Sequence, residues 1–188
     1  HPYPDDLVIA TKAGLLRTGP GQWHPCGRPE YLRQEAEMSL RRLGLERIDL
    51  FQLHRIDPLV PLEDQIGVLA DLQAEGKVRH IGLSEISVEQ LTRAREFATI
   101  VTVQNRYNLV DRSAEDVVDA CSTAGIGFIP WFPVATGALA RAGGPLDELA
   151  GTTGASPSQL ALAWLLHRSA TMLPIPSSAA SWPFLNAT

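Results

Sequence analysis

The chain has 188 residues, 45% of them hydrophobic, and a formal net charge of -5, enough apolar content for one buried core and no basic surface field for nucleic acid. Its two cysteines, Cys26 and Cys121, are far apart and form neither a CxxC pair nor a His-flanked cluster, which argues against a disulfide framework or zinc site and points to the cytoplasm. No apolar stretch approaches the roughly 20 residues that span a bilayer, and His1-Pro2-Tyr3-Pro4-Asp5-Asp6 has no signal-peptide character, so no membrane contact is expected.

Leu7-Val8-Ile9-Ala10-Thr11-Lys12 is a β-rich run after a Pro-Asp-Asp turn, and its lack of alternation suits a strand covered on both faces. A long Gly/Pro loop is expected from Ala13 to Arg28. Pro29 then stands where a helix starts, and Leu32, Ala36, Leu40 and Leu43 recur at helical spacing until Gly44. The cycle repeats with a strand from Ile48 to His54 and a helix through Ile66, Leu69, Ala70 and Leu72, stopped near Gly76. It repeats again with Val78 to Ser84 and a helix from about Val88, where Ser87 and Gln90 have the spacing of a capping box.

Val101-Thr102-Val103-Gln104 supplies the next strand, and Ser113 precedes a helix through Val117, Val118 and Ala120 to Gly125. Gly127-Phe128-Ile129-Pro130-Trp131 is another strand. A glycine-rich loop with Gly137, Gly143 and Gly144 leads to Ser156-Pro157, a cap and first-turn proline opening a helix from Ser158 to His167. Met172-Leu173-Pro174-Ile175-Pro176 closes the series. Strands separated by single helices imply parallel pairing with right-handed crossovers, hence an α/β barrel or an open doubly wound sheet. The barrel is favoured, because no strand exit carries the Gly-x-Gly-x-x-Gly turn of a dinucleotide sheet. The predicted fold is a TIM-type (β/α)8 barrel, incomplete, because the series begins in mid-rhythm and holds about six β/α units.

Strand ends on one face of such a barrel line a single pocket, and these strands end in Lys12, His54, Ser84, Gln104 and Trp131. A lysine there can depress the pKa of a phenol or serve as a base once desolvated. A histidine can orient a polarised carbonyl, serine and glutamine can hold a ligand by hydrogen bonds, and tryptophan can stack on a planar ring. Each has a plain structural alternative: a rim lysine, a hydrogen-bonded histidine, polar groups tied to backbone, a core tryptophan. His24, His80 and His167 are read as non-functional; His80 precedes Ser84 by four residues, below the pocket layer, and His167 suits a helix C-terminus. A metal site at Asp49 and Glu85 is disfavoured, since only Glu85 and His54 fall at the rim and a divalent ion needs several convergent ligands.

Taken together, these segments resemble the aldo-keto reductases, barrel enzymes that reduce carbonyls with NADPH. Val8-Ile9-Ala10-Thr11-Lys12 resembles the family strand with its catalytic lysine. Ser39-Leu40-Arg41-Arg42-Leu43-Gly44-Leu45 with Ile48-Asp49-Leu50-Phe51-Gln52-Leu53-His54 resembles the stretch that ends in the catalytic histidine. Gly76 to Ser84, Val103-Gln104-Asn105-Arg106-Tyr107-Asn108 and Pro157 to Trp164 continue the likeness over residues 5 to 176. The resemblance implies that Lys12 lowers the pKa of a catalytic tyrosine, that His54 orients the substrate carbonyl, and that Ser84 and Gln104 hold the nicotinamide carboxamide. It places Trp131 on the nicotinamide ring, where the family usually has tyrosine, and runs Phe132, Pro133, Val134 and Gly137 along the pyrophosphate. Glu85 stands where asparagine is common.

Two departures accompany the resemblance. The family's acid tyrosine and its aspartate belong to a segment before the first strand here, and Tyr3, Tyr31 and Tyr107 do not match it; the barrel's first two strands are expected to be missing with it, leaving edges that could serve for oligomerisation. After Ile175-Pro176 the family places a basic group for the adenosine 2'-phosphate, whereas residues 177–188 hold no Lys or Arg and are expected to form an irregular tail after a partial barrel over 1–176. The expected function is reduction of an aldehyde or ketone with NADPH, NADH being left open, impaired by the missing tyrosine and aspartate; a small carbonyl compound is the expected partner. The alternative is a non-catalytic relative that binds a nucleotide or a protein. A metal-dependent barrel lyase or hydrolase has little behind it.

Overall fold

The structure is a computed structural model that describes residues 2–140 and 143–176, with backbone only at Thr136, Ala138 and Ala140. The chain divides into two compact units, His1–Gln104 with Thr123–Ile126, and Asn105–Ser122 with Gly127–Thr188. The expected tail over 177–188 lies outside the described residues.

In the first unit the order is β1 (Ala10–Ala13), β2 (Leu15–Gly19), β3 (Gln22–Pro25), α1 (Pro29–Leu43), β4 (Ile48–Leu53), α2 (Leu62–Ala74), β5 (Val78–Ser84), α3 (Val88–Ala94) and β6 (Ile100–Gln104). β1, β4, β5 and β6 pair in parallel in that order, as strands joined through helices must. One row of the register runs Lys12, Gln52, Gly82, Thr102. Phe51, Leu53, Ile81, Leu83 and Val103 are fully buried on the strands, as are Leu32 and Ala36 on α1 and Ile66, Leu69 and Leu72 on α2. Helix ends follow the local chemistry. Pro29 opens α1, Gly44 closes it in the left-handed region at φ 67°, and Ser87 with Gln90 forms both bonds of a capping box on α3.

The stretch expected as a loop between Ala13 and Arg28 contains an antiparallel hairpin, β2 with β3. Gly21, at φ 69°, makes its turn, and Arg17 lies over the Trp23 ring at 5.3 Å from the centroid. β1 is shorter than expected. The Ile9 amide donates to Asp49 Oδ2 at 3.0 Å instead of to a ladder carbonyl, and Leu7 and Val8 are 49% and 67% exposed.

The second unit holds most of α4 (Glu115–Ala124), then β7 (Gly127–Phe128), a 3-10 helix (Ala135–Ala140), α5 (Asp147–Thr153) and α6 (Pro157–Arg168). The expected strand to Trp131 stops early because Pro130 has no amide to donate, and Trp131 N donates to Asn105 O at 3.2 Å. The expected strand from Met172 to Pro176 is a single bridge, Phe128 to Met172, since Pro174 and Pro176 cannot extend a ladder. The expected glycine-rich loop contains both the 3-10 helix and α5. Ser156 with Gln159 caps α6, and Pro157 occupies its first turn.

A polar cluster anchors this unit. Tyr107, fully buried, meets Phe128 edge-on at 5.8 Å and stacks on Trp164 at 5.7 Å. Its hydroxyl donates to Glu115 Oε2 at 2.7 Å. Arg112 and Arg168 also bind that carboxylate, which holds Glu115 well below the ordinary range, at about 2. Among the described residues no helix is long and apolar enough to cross a membrane.

Candidate active site

The ends of β1, β4, β5 and β6 bring together Lys12, His54, Ser84 and Gln104, all within the first unit. Lys12 lies in β1 in register with Gln52. Lys12 is half-buried, its ammonium makes no hydrogen bond or ion pair among the described residues, and desolvation pulls that ammonium below the ordinary lysine value. His54 follows β4 directly, and its amide donates to Ala13 O at 2.7 Å, so the chain just past Lys12 fixes the histidine backbone. Gly14 permits this closeness: it sits at φ 104°, where a Cβ would lie 2.8 Å from Leu53 Cδ1. Burial, then the positive charges of Arg55 and Lys12, push the His54 imidazole below its ordinary value, against a smaller opposing pull from Glu85. The ring is therefore held neutral, the form that donates one hydrogen bond and accepts another.

Ser84 and Gln104 are buried and in register at the ends of β5 and β6. Ser84 Oγ donates to Gln104 O at 2.8 Å, and the Glu85 amide donates to the same carbonyl at 3.0 Å. Glu85 adopts a left-handed φ of 53°, uncommon for a residue with a side chain. Gln104 Oε1 is buried and has no hydrogen-bond partner among the described residues. A group that donates N–H there removes a desolvation penalty of about 1–3 kcal/mol, and a carboxamide is such a group. Gln104 Oε1 and Ser84 Oγ are thus acceptors suited to an NH2 group such as that of a carboxamide.

Arg55 was not singled out by the sequence. Its Nη1 donates to His54 O at 2.7 Å and to Ser84 Oγ at 3.3 Å, linking the ends of β4 and β5. The one available signal was its place beside His54. Below this layer, Gln52 Nε2 and Thr102 Oγ1 are also buried and have no partner among the described residues; they lie on either side of Gly82, where a Cβ would overlap Thr102 Oγ1 and lie 2.9 Å from Gln52 Cγ.

The remaining expected site residues belong to the second unit. Trp131 is half-buried, with the Phe132 ring 4.5 Å away and Arg106 at 5.7 Å from its centroid. Phe132, at φ 59°, is strained, and its carbonyl accepts from Asn108 Nδ2 at 3.0 Å. Pro133 is buried. Val134 packs against the cluster of Leu139, Leu146 and Ala161, and Gly137 lies in the 3-10 helix at φ 85°. The loop from Phe132 to Gly137 is a compact turn, closed by Ala135 N donating to Phe132 O and Gly137 N donating to Val134 O, both at 2.9 Å. Among the described residues no group of three His, Cys, Asp or Glu side chains could hold a metal ion.

Parallel strands alternating with helices, with a lysine and a histidine at adjacent strand ends, are the arrangement of the β/α-barrel class. The chain belongs to the aldo-keto reductase family: the model of the Aldo/keto reductase family matches residues 1–181. It is 52% identical over 179 residues to an uncharacterized oxidoreductase of Schizosaccharomyces pombe, covering 95% of this chain and 58% of that protein. It is 40% identical over 185 residues to the pyridoxine 4-dehydrogenase of Escherichia coli, covering 95% and 64%. Among solved structures, a glycerol dehydrogenase from Gluconobacter oxydans superposes with a TM-score of 0.82 at 25% identity, over 92% of this chain and 63% of that one. A thermostable aldo-keto reductase in complex with the inhibitor epalrestat gives 0.81 at 26%, over 96% and 64%. The fold is thus an incomplete aldo-keto reductase barrel, and the chain spans 58–64% of the length of these relatives.

Proposed function

We propose that this chain carries the lysine, the histidine and the carboxamide-binding residues of an NADPH-dependent reductase of aldehydes or ketones. The observation that carries the reading is the buried, partnerless Gln104 Oε1 beside Ser84, at the strand ends that also hold Lys12 and His54. When bound, NADPH supplies the hydride. His54, held neutral, donates a hydrogen bond to the substrate oxygen and aligns the carbonyl. Lys12, a desolvated cation, favours ionisation of a neighbouring phenol and so tunes the acid that protonates that oxygen. None of the chain's own tyrosines fills that role in the described structure: Tyr107 is bonded to Glu115, Tyr31 opens α1, and Tyr3 precedes β1. The chain by itself therefore turns over slowly, since losing a positioned general acid costs about 10²–10⁴ in rate. Trp131, Phe132, Pro133, Val134 and Gly137 keep their proposed cofactor contacts, and a Trp131→Ala variant tests them separately. We place the protein in the cytoplasm.

Calorimetric titration with NADPH tests the reading. Saturable binding by the unmodified chain, largely lost in Gln104→Leu, supports it; no saturable heat refutes it. The relative's name, pyridoxine 4-dehydrogenase, makes pyridoxal with NADPH the first carbonyl to assay. Saturable nucleotide binding without turnover of any carbonyl would favour the non-catalytic alternative.

A further inference from the structure

A bound carboxamide presents two N–H donors and one oxygen acceptor, and the groups around Ser84 are unevenly matched to it. The Ser84 hydroxyl proton is spent on Gln104 O, and one of its two lone pairs is taken by Arg55, so toward a ligand Ser84 only accepts. Gln104 Oε1 only accepts. Glu85, next along the chain, carries a carboxylate, another acceptor. These acceptors suit the carboxamide NH2; the Nε2 of Gln104 can donate to one lone pair of the carboxamide oxygen, and the second is left for a further donor.

Arg55 is the charged donor in place. It is half-buried, both of its hydrogen bonds leave from Nη1, and among the described residues Nε and Nη2 make no hydrogen bond or ion pair. The bonds from Nη1 fix the guanidinium plane, so little further ordering is needed when it binds. Any group held by Ser84 Oγ lies one hydrogen bond from an atom already 3.3 Å from Arg55 Nη1.

We infer that Arg55 is a cofactor-positioning residue whose guanidinium donates to the carboxamide oxygen of the nicotinamide while Ser84 and Gln104 accept from its NH2 group. The assignment rests on the reading of this site as a nicotinamide site. It gives the acid at position 85 a counterpart: the donor comes from the end of β4 instead of from the residue after Ser84. With the amide fixed at both ends, the ring cannot turn over.

The test is a chemical cycle in binding. The chain is titrated with NADPH and with its reduced thionicotinamide analogue, whose sulfur is a poor acceptor but whose NH2 is retained, in the unmodified form and as Arg55→Met and Arg55→Lys. The unmodified chain should bind the analogue about 10-fold more weakly than NADPH, the worth of a hydrogen bond from a charged donor. Arg55→Met should lose that factor for NADPH and little for the analogue, and Arg55→Lys should recover part of it. Equal losses for both dinucleotides in Arg55→Met, or no loss for either, would overturn the role of Arg55 while leaving the nicotinamide site standing. No discrimination by the unmodified chain would overturn it too, without needing a variant to fold. Absence of NADPH binding by the unmodified chain overturns both readings.

Discussion

Gly82→Ala perturbs the row of residues that includes Lys12. Gly82 lies between Gln52 and Thr102 in the register of β4, β5 and β6, and a methyl group there would overlap Thr102 Oγ1 and sit 2.9 Å from Gln52 Cγ and 3.3 Å from Thr102 O. The last of these is backbone, so the strands as well as the side chains must shift. Overpacking of this kind costs about 1–3 kcal/mol. Thr102→Ala removes the overlapping atom. Taken alone it should be close to neutral, because losing a buried methyl costs about 1 kcal/mol while deleting a buried hydroxyl with no partner returns about as much. The double variant should therefore be more stable than Gly82→Ala, with a coupling of at least about 1 kcal/mol. Equilibrium urea unfolding followed by far-ultraviolet circular dichroism measures all four proteins. A Gly82→Ala cost below about 0.5 kcal/mol, or single effects that add within about 0.5 kcal/mol, would refute the steric account of this row.

Gln104→Leu should raise stability by about 1 kcal/mol, by removing the partnerless buried acceptor, while weakening NADPH binding about 10-fold or more; a loss of both stability and binding would contradict the assignment. The His54 imidazole, observed by NMR, should titrate below the ordinary histidine value, and Arg55→Met should move it upward without restoring it fully, since burial is the larger cause. Because its folded pKa is depressed, the stability that neutral His54 contributes is present above the unfolded value of 6.5 and declines as pH falls below it. Glu115 has the same sign at lower pH. Its contribution is whole above the ordinary 4.5 and is lost as pH drops toward about 2; Glu115→Gln should flatten acid unfolding across that window, and an unchanged profile would refute the carboxylate's role.

Much of the fold was legible where one residue type settles a local question. Pro29, Ser87 with Gln90, and Ser156 with Gln159 each open a helix where expected, because a cap depends only on residues a turn away. The hairpin was not legible. β3 is exposed at every position, so it carries no apolar alternation, and Gly19-Pro20-Gly21 reads equally as loop. α5 buries none of its residues and so shows no helical stripe. Of the candidate site, Lys12, His54, Ser84 and Gln104 are legible as strand-end residues, and the structure places them at the ends of β1, β4, β5 and β6. Arg55 was missed, because its part depends on reaching Ser84, 29 positions away in sequence. The partnerless atoms of Gln52 and Thr102 depend on register, which a single strand does not reveal.

The hairpin β2–β3 is held at both of its roots. At one, Gly14 packs against Leu53, and its carbonyl accepts from Cys26 N at 3.1 Å. At the other, Gly27 N donates to Asp57 Oδ2 at 2.9 Å, and the Gln65 side chain accepts from the Asp57 backbone amide through Oε1 and donates to the Asp57 carbonyl through Nε2. Gln65 is fully buried and Asp57 nearly so, so this root belongs to the scaffold, while the ribbon between the roots is mostly in water. Tether and cargo are therefore separable. Residues 15–25 can drift, lengthen or be exchanged between relatives with little cost to the parallel sheet, since each doubling of a flexible insertion adds only about 0.6 kcal/mol of closure entropy. Evolution or a protein engineer could rewrite this ribbon as a cassette, leaving Gly14, Gly27, Asp57 and Gln65 as its fixed attachment points.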